Sequence, residues 1–284
     1  METGRPFMIE RTTNNSDFIE PSKSYKKLSI QVSLNGLSFF ILDTIGQKVL
    51  LTDSIAFKTE ATPYSLLKAL KNLVEQQKWS KNDFSEVVVT HTSNLFALVP
   101  KPLFDPSELA NYLKFNTKIL ANDQLVYDEL KNQEIVVVYV PYTNINNYIF
   151  ELFGEFEFRH SSTAVLQVLF NQKTRSKKTC YAHVGKQLFE LMVIDQKKLL
   201  FYNQFEYSTP EDFLYYVLFT YEQLKLDPQT VKLKLFGMVE EGDPVFTICH
   251  DYLKKVSVFE PKNAALELPG SDKDSIDLTL LSSL

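Results

Sequence analysis

The sequence predicts an α/β protein built from two related halves. The first observation is that residues 28–43 and 180–195 align without a gap, and each segment reads as a strand, a tight polar turn and a second strand. The second is a Thr-Pro dipeptide at Thr62 and again at Thr209, the pattern of a threonine N-cap with proline at the first helical position. A further strand follows each helix, so the order β-β-β-α-β occurs twice. Helices that connect strands of one sheet favour a layered α/β architecture.

Each half opens with a predicted three-stranded meander. In the first half the turn lies at Asn35-Gly36, and residues 48–57 supply the third strand. In the second half the turn is Gly185 to Gln187, and residues 198–207 supply the third strand. The same three strands are therefore expected in both halves.

An amphipathic helix follows each meander. Apolar residues recur at helical spacing from Leu66 to Val74 in the first half and from Phe213 to Leu224 in the second. Each helix gives way to a polar stretch and then to a strand, at residues 86–90 and 231–236. Both apolar faces need a sheet to cover them.

The segment between the repeats predicts five further elements. Residues 105–115 read as a helix capped by Asp105. After it we expect a buried strand at 134–140, a helix at 143–153, a strand at 155–159 and a helix at 161–170. The predicted organisation is a flexible start at 1–21, a first half at 22–172, a second half at 173–262 and a flexible tail at 263–284.

Net charge, cysteine content and the length of apolar runs restrict the class of partner and the cellular location that we expect. The net charge of −5 and the pI near 5.5 provide no general attraction for nucleic acid. The two cysteines, Cys180 and Cys249, do not form a disulfide framework, which fits a reducing compartment. No apolar run has the length of a membrane span or the form of a signal peptide. We therefore expect a cytoplasmic protein, and the oligomeric state stays open.

The duplicated unit, over about residues 28–261, resembles the actin-like ATPase superfamily. The layout is most similar to the pilus-assembly scaffold proteins, whose first half carries a small α/β insertion, and the resemblance implies that residues 95–130 are the corresponding insertion in this chain. More specifically, the chain resembles an uncharacterised bacterial family, a domain of unknown function assigned to this fold. The resemblance implies a duplicated ribonuclease H-like fold whose two halves flank a cleft, and it carries no activity with it.

The resemblance also implies where a nucleotide would bind. In active members each hairpin reads apolar, Asp, apolar, Gly; the hairpins cradle phosphates and the aspartates organise Mg²⁺. Here the two segments read Ile-Gln-Val-Ser at 30–33 and Ala-His-Val-Gly at 182–185. Gln31 and His183 thus replace both aspartates, and Gly185 is the one glycine retained. An amide brings no negative charge and imidazole is a poor partner for Mg²⁺, so ATP with Mg²⁺ is disfavoured as a cofactor.

The adenosine segment of that superfamily is a strand followed by a Gly-Gly turn. Its counterpart here, residues 235–238, keeps one glycine, Gly237, which is also explained as an ordinary turn after a strand. No catalytic residue and no metal ligand is predicted. The vestigial nucleotide site comprises Gln31, Ser33, Asn35, Gly36, His183, Gly185, Lys186 and Gly237.

Two functions follow from different classes. The first is a non-catalytic scaffold or regulatory protein that binds an unidentified protein partner, with or without a nucleotide as a structural element. The second is an active ATPase or phosphotransferase that draws its metal ligands from Asp43, Asp53 or Glu190.

Aromatic residues supply a further candidate surface. The chain has 14 Tyr and 22 Phe, with a dense cluster at residues 201–219. Tyr215 and Tyr216 either form a partner surface, where tyrosine is favoured, or pack between helix and sheet.

Overall fold

The computed structural model describes residues 8–15, 25–114, 118–120, 122–130, 132–172 and 178–259, with the backbone alone described for 8–15. These residues form two compact units that divide between residues 168 and 169. The predicted tail at 263–284, most of the predicted flexible start and residues 173–177 at the start of the predicted second half lie outside the described residues. Among the helices of the described ranges, none combines the length and apolarity needed to cross a membrane.

The first unit is built on a mixed sheet. Its elements are β1 (Met8–Asn15), β2 (Lys26–Ser33), β3 (Gly36–Asp43), β4 (Lys48–Phe57), α1 (Pro63–Gln77), β5 (Glu86–Thr92), β6 (Phe96–Pro100), α2 (Leu109–Leu113), β7 (Val126–Leu130), β8 (Ile135–Tyr139), α3 (Thr143–Phe153), β9 (Glu157–His160) and α4 (Ser161–Asn171), whose last residues belong to the second unit. Over the described residues the large sheet has the order β1-β4-β3-β2-β5-β9. β2, β5 and β9 run parallel, and the other neighbours pair antiparallel.

The core of the first unit lies on one face of this sheet. Leu66 and Leu70 of α1 are buried at helical spacing, as are Ile145 and Ile149 of α3. They belong to one apolar cluster with alternate strand residues, among them Leu28, Ile30, Val32, Leu37, Phe39 and Val89. Because side chains alternate along a strand, the residues between these point to the opposite face.

The insertion forms a small separate sheet in which one predicted strand has a different place. The order is β6-β8-β7, with β8 in the middle, antiparallel to both neighbours. The strand predicted at 134–140 does not follow the insertion, because it forms the buried centre of the insertion's own sheet. The helix expected at 105–115 is shorter, a 3-10 turn at Pro106–Glu108 followed by α2. Apolar side chains from β6, α2 and β8 form its core.

The second unit repeats the plan of the first. Its elements are β10 (Lys178–Val184), β11 (Leu188–Asp195), β12 (Lys198–Glu206), α5 (Pro210–Gln223), β13 (Lys232–Gly237), α6 (Pro244–Tyr252) and β14 (Val256–Val258). Within the described ranges the sheet order is β12-β11-β10-β13-β14. Residues such as Phe213 and Val217 of α5 and Cys249 of α6 pack on Ala182 and Leu191 of the sheet.

The hairpins of the two units agree in register. Gln31 pairs with Ser38 across β2 and β3, and the aligned residues His183 and Glu190 pair across β10 and β11. The third strand also shows the same irregularity in both units: the ladder shifts register after Ile41 in the first and after the aligned residue in the second. The repeat predicted from the sequence is therefore a repeat of strand pairing.

The repeated helix starts are present as predicted. The Thr62 side chain accepts a hydrogen bond from the backbone N–H of Ser65 at 3.2 Å, and Thr209 accepts one from Asp212 at 3.2 Å. At Thr209 the cap is reciprocal, because the Asp212 carboxylate accepts from the Thr209 backbone N–H at 3.0 Å. Proline follows each cap in both units.

A strand occupies part of the start that the sequence analysis expected to be flexible. β1 pairs antiparallel with β4, with partners running from Met8 with Phe57 to Asn15 with Leu51. It covers the outer edge of the large sheet. In the second unit the counterpart of β4 is β12, and β12 lies at the edge of its sheet.

Candidate functional site

Gln31 and His183, the aligned residues of the two hairpins, lie in equivalent rows of side chains across the two sheets. In the first unit the row contains Ser54, Ser38, Gln31 and Thr90, on adjacent strands β4, β3, β2 and β5. We call it the first row. The second row contains the corresponding residues of β12, β11, β10 and β13, which are Gln204, Glu190, His183 and Phe236. Both rows lie on the sheet face opposite the apolar core.

The first row is polar and uncharged. Gln31 is 9% exposed, and its Nε2 donates a hydrogen bond to Thr92 Oγ1 at 3.3 Å. Thr90 is buried, and its Oγ1 has no hydrogen-bond partner among the described residues. No member of this row carries a carboxylate, so the row offers amide and hydroxyl oxygens only.

The turn of the first hairpin is closed by its own polar groups. The Ser33 hydroxyl donates to the Gly36 carbonyl at 3.0 Å and accepts from the Asn35 N–H at 3.2 Å. Gly36 is required by packing, because a Cβ there would lie 2.5 Å from the Ile55 carbonyl oxygen. The structure therefore brings Ser33, Asn35 and Gly36 together as a tight turn.

The second row contains a buried, hydrogen-bonded carboxylate. His183 Nδ1 lies 2.9 Å from Glu190 Oε2, and since an ionised carboxylate only accepts, the imidazole donates. The other oxygen, Oε1, accepts from Tyr202 Oη at 2.6 Å and from Gln204 Nε2 at 3.0 Å. The His183 ring also stacks on Phe236, with centroids 4.9 Å apart and an interplanar angle of 7°. His183 is thus held between Glu190 and an aromatic ring of the same sheet.

The surroundings of Glu190 keep its carboxylate ionised. Burial acts to raise the pKa, but the hydrogen bond and charge of His183, with the hydrogen bonds from Tyr202 and Gln204, outweigh it and lower the pKa to about 2. Glu190 is only 5% exposed. A buried charge supplied with three donors is a satisfied structural group.

The remaining predicted residues of the second unit lie around the same hairpin. Gly237 ends β13 with φ +91°, and a Cβ there would lie 2.5 Å from the Val184 carbonyl oxygen and 2.8 Å from His183 Cδ2. Gly185 closes the β10–β11 turn by donating its N–H to the Leu188 carbonyl at 2.9 Å. Lys186 is exposed in that turn. Gly237 therefore lies beside His183 with no room for a side chain between them.

The acids considered as alternative metal ligands of the first unit do not gather at its hairpin turn. Asp43 lies at the far end of β3, where its Oδ1 accepts from the Ile45 N–H at 3.0 Å. Asp53 is buried and points to the same face of β4 as the core residues Leu51 and Ile55. Its Oδ1 accepts a hydrogen bond from the Ser54 N–H at 2.9 Å. In the part of the chain that the structure describes, no group of three or more His, Cys, Asp or Glu is arranged to hold a metal ion.

A polar junction around Asp128 was missed by sequence reasoning. Asp128 Oδ2 accepts from the His160 N–H at 2.8 Å and from Thr163 Oγ1 at 2.7 Å, and Oδ1 accepts from Tyr139 Oη at 3.1 Å. Burial raises the pKa of Asp128 against the effect of these donors. The carboxyl joins the insertion's sheet to β9 and the first turn of α4. An acidic residue in an alternating strand gives no sequence signal for this role.

The aromatic cluster divides between packing and surface. Tyr216 stacks on Phe205 of β12, with centroids 4.5 Å apart, and borders the core. Tyr215 is 61% exposed and Phe219 is 45% exposed, and their rings stack 6.1 Å apart. Of the two tyrosines for which surface and packing were alternatives, Tyr215 is on the surface and Tyr216 is largely packed.

Two β-β-β-α-β units with matching hairpin registers define an actin-like ATPase fold. A solved protein from Bacteroides thetaiotaomicron, described as having an actin-like ATPase fold and unknown function, superimposes with a TM-score of 0.75 at 22% identity, over 92% of this chain and 97% of that one. A chain of the PilM-PilN type IV pilus biogenesis complex superimposes with a TM-score of 0.55 at 13% identity, over 90% and 96% of the two chains.

The family is established by the match of residues 15–256 to the model for the protein family of unknown function DUF3822. The chain belongs to this family. No curated protein matches it.

Proposed function

We propose that this protein is a non-catalytic, actin-like scaffold or regulatory protein that binds a protein partner and whose nucleotide site is degenerate. The observation that carries the proposal is the content of the two rows. The first row has no acid, and the one acid of the second row, Glu190, is enclosed by three donors.

The chemistry of the two replaced positions supports the loss of the metal. Mg²⁺ needs hard oxygen ligands, and anionic ones hold it against its strongly bound water. Gln31 supplies a neutral amide that already donates to Thr92, and His183 supplies a ring nitrogen that is turned to Glu190. Neither side chain neutralises a triphosphate-bound cation, which phosphoryl transfer requires.

The Glu190 carboxylate also stands against the alternative of an atypical metal site. To ligate a cation it would have to release hydrogen bonds from His183, Tyr202 and Gln204 inside a buried environment. That exchange is unfavourable unless the metal repays all three bonds. We therefore assign Glu190 a structural role.

The protein partner is proposed from the fold and from the surface. The PilM-PilN structure is a complex, so this fold accommodates a partner chain in that system. Here exposed, stacked aromatics on α5, Tyr215 and Phe219, offer apolar surface of the kind found in interfaces. The two free, buried cysteines, Cys180 and Cys249, suit a reducing compartment, and we propose the cytoplasm as the location.

A thermal shift series tests the proposal. Unfolding temperature is measured for the wild-type protein with ATP, with ATP plus Mg²⁺, and with Mg²⁺ alone. A ligand present at about 100 times its Kd adds about 2.7 kcal/mol of stability, which raises the melting temperature of a chain of this size by roughly 5 °C or more. We expect no Mg²⁺-dependent increase.

The matched variant for this test is the double substitution Gln31→Asp and His183→Asp, which restores the two acids. A Mg²⁺-dependent shift in the restored variant and none in the wild type supports the proposal. A Mg²⁺-dependent shift of that size in the wild type contradicts it.

A further inference from the structure

β12 is the edge strand of the second sheet, and no strand within the described ranges pairs along its outer side. An edge strand presents a row of N–H and C=O groups that is a template for another strand. Natural edges are covered or blocked unless they bind something.

The duplicated unit shows what fits such an edge. β4 corresponds to β12, and its outer side is covered by β1, antiparallel, from Phe57 to Leu51. That pairing ends next to the irregularity at Leu50. β12 has the same irregularity at Leu200, which leaves residues 201–206 as the equivalent regular span. An antiparallel strand at this edge is therefore compatible with the fold.

The two ends of the β12 edge carry opposite charge. Lys197 and Lys198 are exposed at the start of the strand, and Glu206 and Glu211 are exposed near its end. When two copies of β12 pair antiparallel, the basic end of each faces the acidic end of the other. A parallel arrangement would oppose like charges, which is destabilising.

An aromatic surface accompanies this edge. Tyr216 stacks on Phe205 of β12, and the exposed Tyr215 and Phe219 continue outward from it on α5. We call these two residues the aromatic shelf. A symmetric pairing of β12 strands brings the α5 helices of the two copies side by side, where the shelves are removed from water.

We propose that the β12 edge and the aromatic shelf are a self-association surface, and that its occupant is a second copy of this chain. The two β12 strands pair antiparallel about a two-fold axis through residues 201–206 and join the two second-unit sheets into one continuous sheet. The inference does not depend on whether the nucleotide site is degenerate. It assigns to a second copy the aromatic surface that the proposed function offers to a protein partner, and its paired span includes Gln204 of the second row.

Sedimentation velocity of the full chain over a range of protein concentration tests the proposal. We expect a concentration-dependent species of twice the 32.8 kDa chain mass. Lys198→Glu and Glu206→Lys, each alone, bring like charges near each other at both ends of the symmetric pair and should weaken dimerisation about severalfold, the size expected for exposed charges that are not directly paired. The double variant exchanges the two charges and should restore it.

The duplication supplies a matched control. Lys48 is exposed at the position of β4 that corresponds to Lys198, and each lysine lies opposite an aspartate across its hairpin, Asp43 or Asp195. Lys48→Glu thus causes the same local repulsion in the other unit, and it should leave the dimer unchanged.

The aromatic shelf gives a second variant that does not depend on charge. Tyr215→Ser combined with Phe219→Ser should also weaken dimerisation, with an unchanged far-UV circular dichroism spectrum. A wild-type chain that remains monomeric at every concentration overturns the proposal, including the case in which a segment of another protein occupies the edge. Single charge reversals without effect, or a double variant that fails to dimerise, also overturn it.

Discussion

Glu190→Gln is the substitution whose effect the structure predicts most sharply. The folded protein lowers the pKa of Glu190 from its ordinary value of 4.5 to about 2. Since each pKa unit corresponds to about 1.4 kcal/mol, the ionised carboxylate contributes about 3 kcal/mol to the free energy of unfolding at neutral pH. Glutamine has nearly the same size but no charge, so that contribution is lost.

The free energy that Glu190 contributes to stability decreases as the pH is lowered. The unfolded chain takes up the Glu190 proton at higher pH than the folded protein does, so acidification favours unfolding. The stabilisation is present in full above pH 4.5 and is lost as the pH falls to about 2. The difference between wild type and Glu190→Gln should therefore be about 3 kcal/mol at pH 7 and should approach zero near pH 2.

Urea unfolding followed by far-UV circular dichroism, at a series of pH values, measures this difference. Glu241→Gln is the control, because Glu241 is exposed in the same unit and lies outside both rows and the β12 edge, and its effect should stay within about 0.5 kcal/mol at every pH. A Glu190→Gln effect below about 1 kcal/mol at pH 7, or one that is constant with pH, would refute the reasoning.

Three further substitutions test other parts of the account in the same unfolding assay. Gly237→Ala should lower the free energy of unfolding by about 2 kcal/mol or more, because φ is +91° and a Cβ would meet the Val184 carbonyl oxygen. Gly242 has a similar φ of +100° but no atom within 4 Å of an added Cβ, so Gly242→Ala should lower it by about 1 kcal/mol. Equal losses would contradict the close-contact argument. Thr209→Ala removes the reciprocal cap of α5 and should cost about 1 kcal/mol, and no loss would mean that the cap is not stabilising. Asp128→Ala leaves three donors without their acceptor and should cost about 2 kcal/mol, accompanied by faster amide exchange in β7; unchanged exchange there would argue against a junction.

The repeat was readable from the sequence because it rests on local signals. Strand alternation, the turn at Gly36 and the threonine caps at Thr62 and Thr209 each depend on a few neighbouring residues. Pairing between distant strands is not local. The strand at 135–139 is apolar throughout and would suit a buried place in either sheet of the first unit, so its sequence could not show that it is the centre of the insertion's sheet. β1 was missed because its residues are largely polar.

The candidate site was predictable in position and not in content. The alignment of the hairpins identified Gln31 and His183, and the structure places both in equivalent rows. The partners of Glu190 come from β10 and β12, and the sequence does not show that their side chains converge on one carboxylate. Asp128 is a similar case, because its donors lie more than ten residues away in the chain.

Steady-state phosphate release from Mg-ATP by the purified full chain is the most direct test of the proposal that the nucleotide site is degenerate. The account predicts that release does not exceed that of a Gln31→Ala, His183→Ala double variant purified in parallel. Turnover by the wild type that this double variant lacks would contradict it.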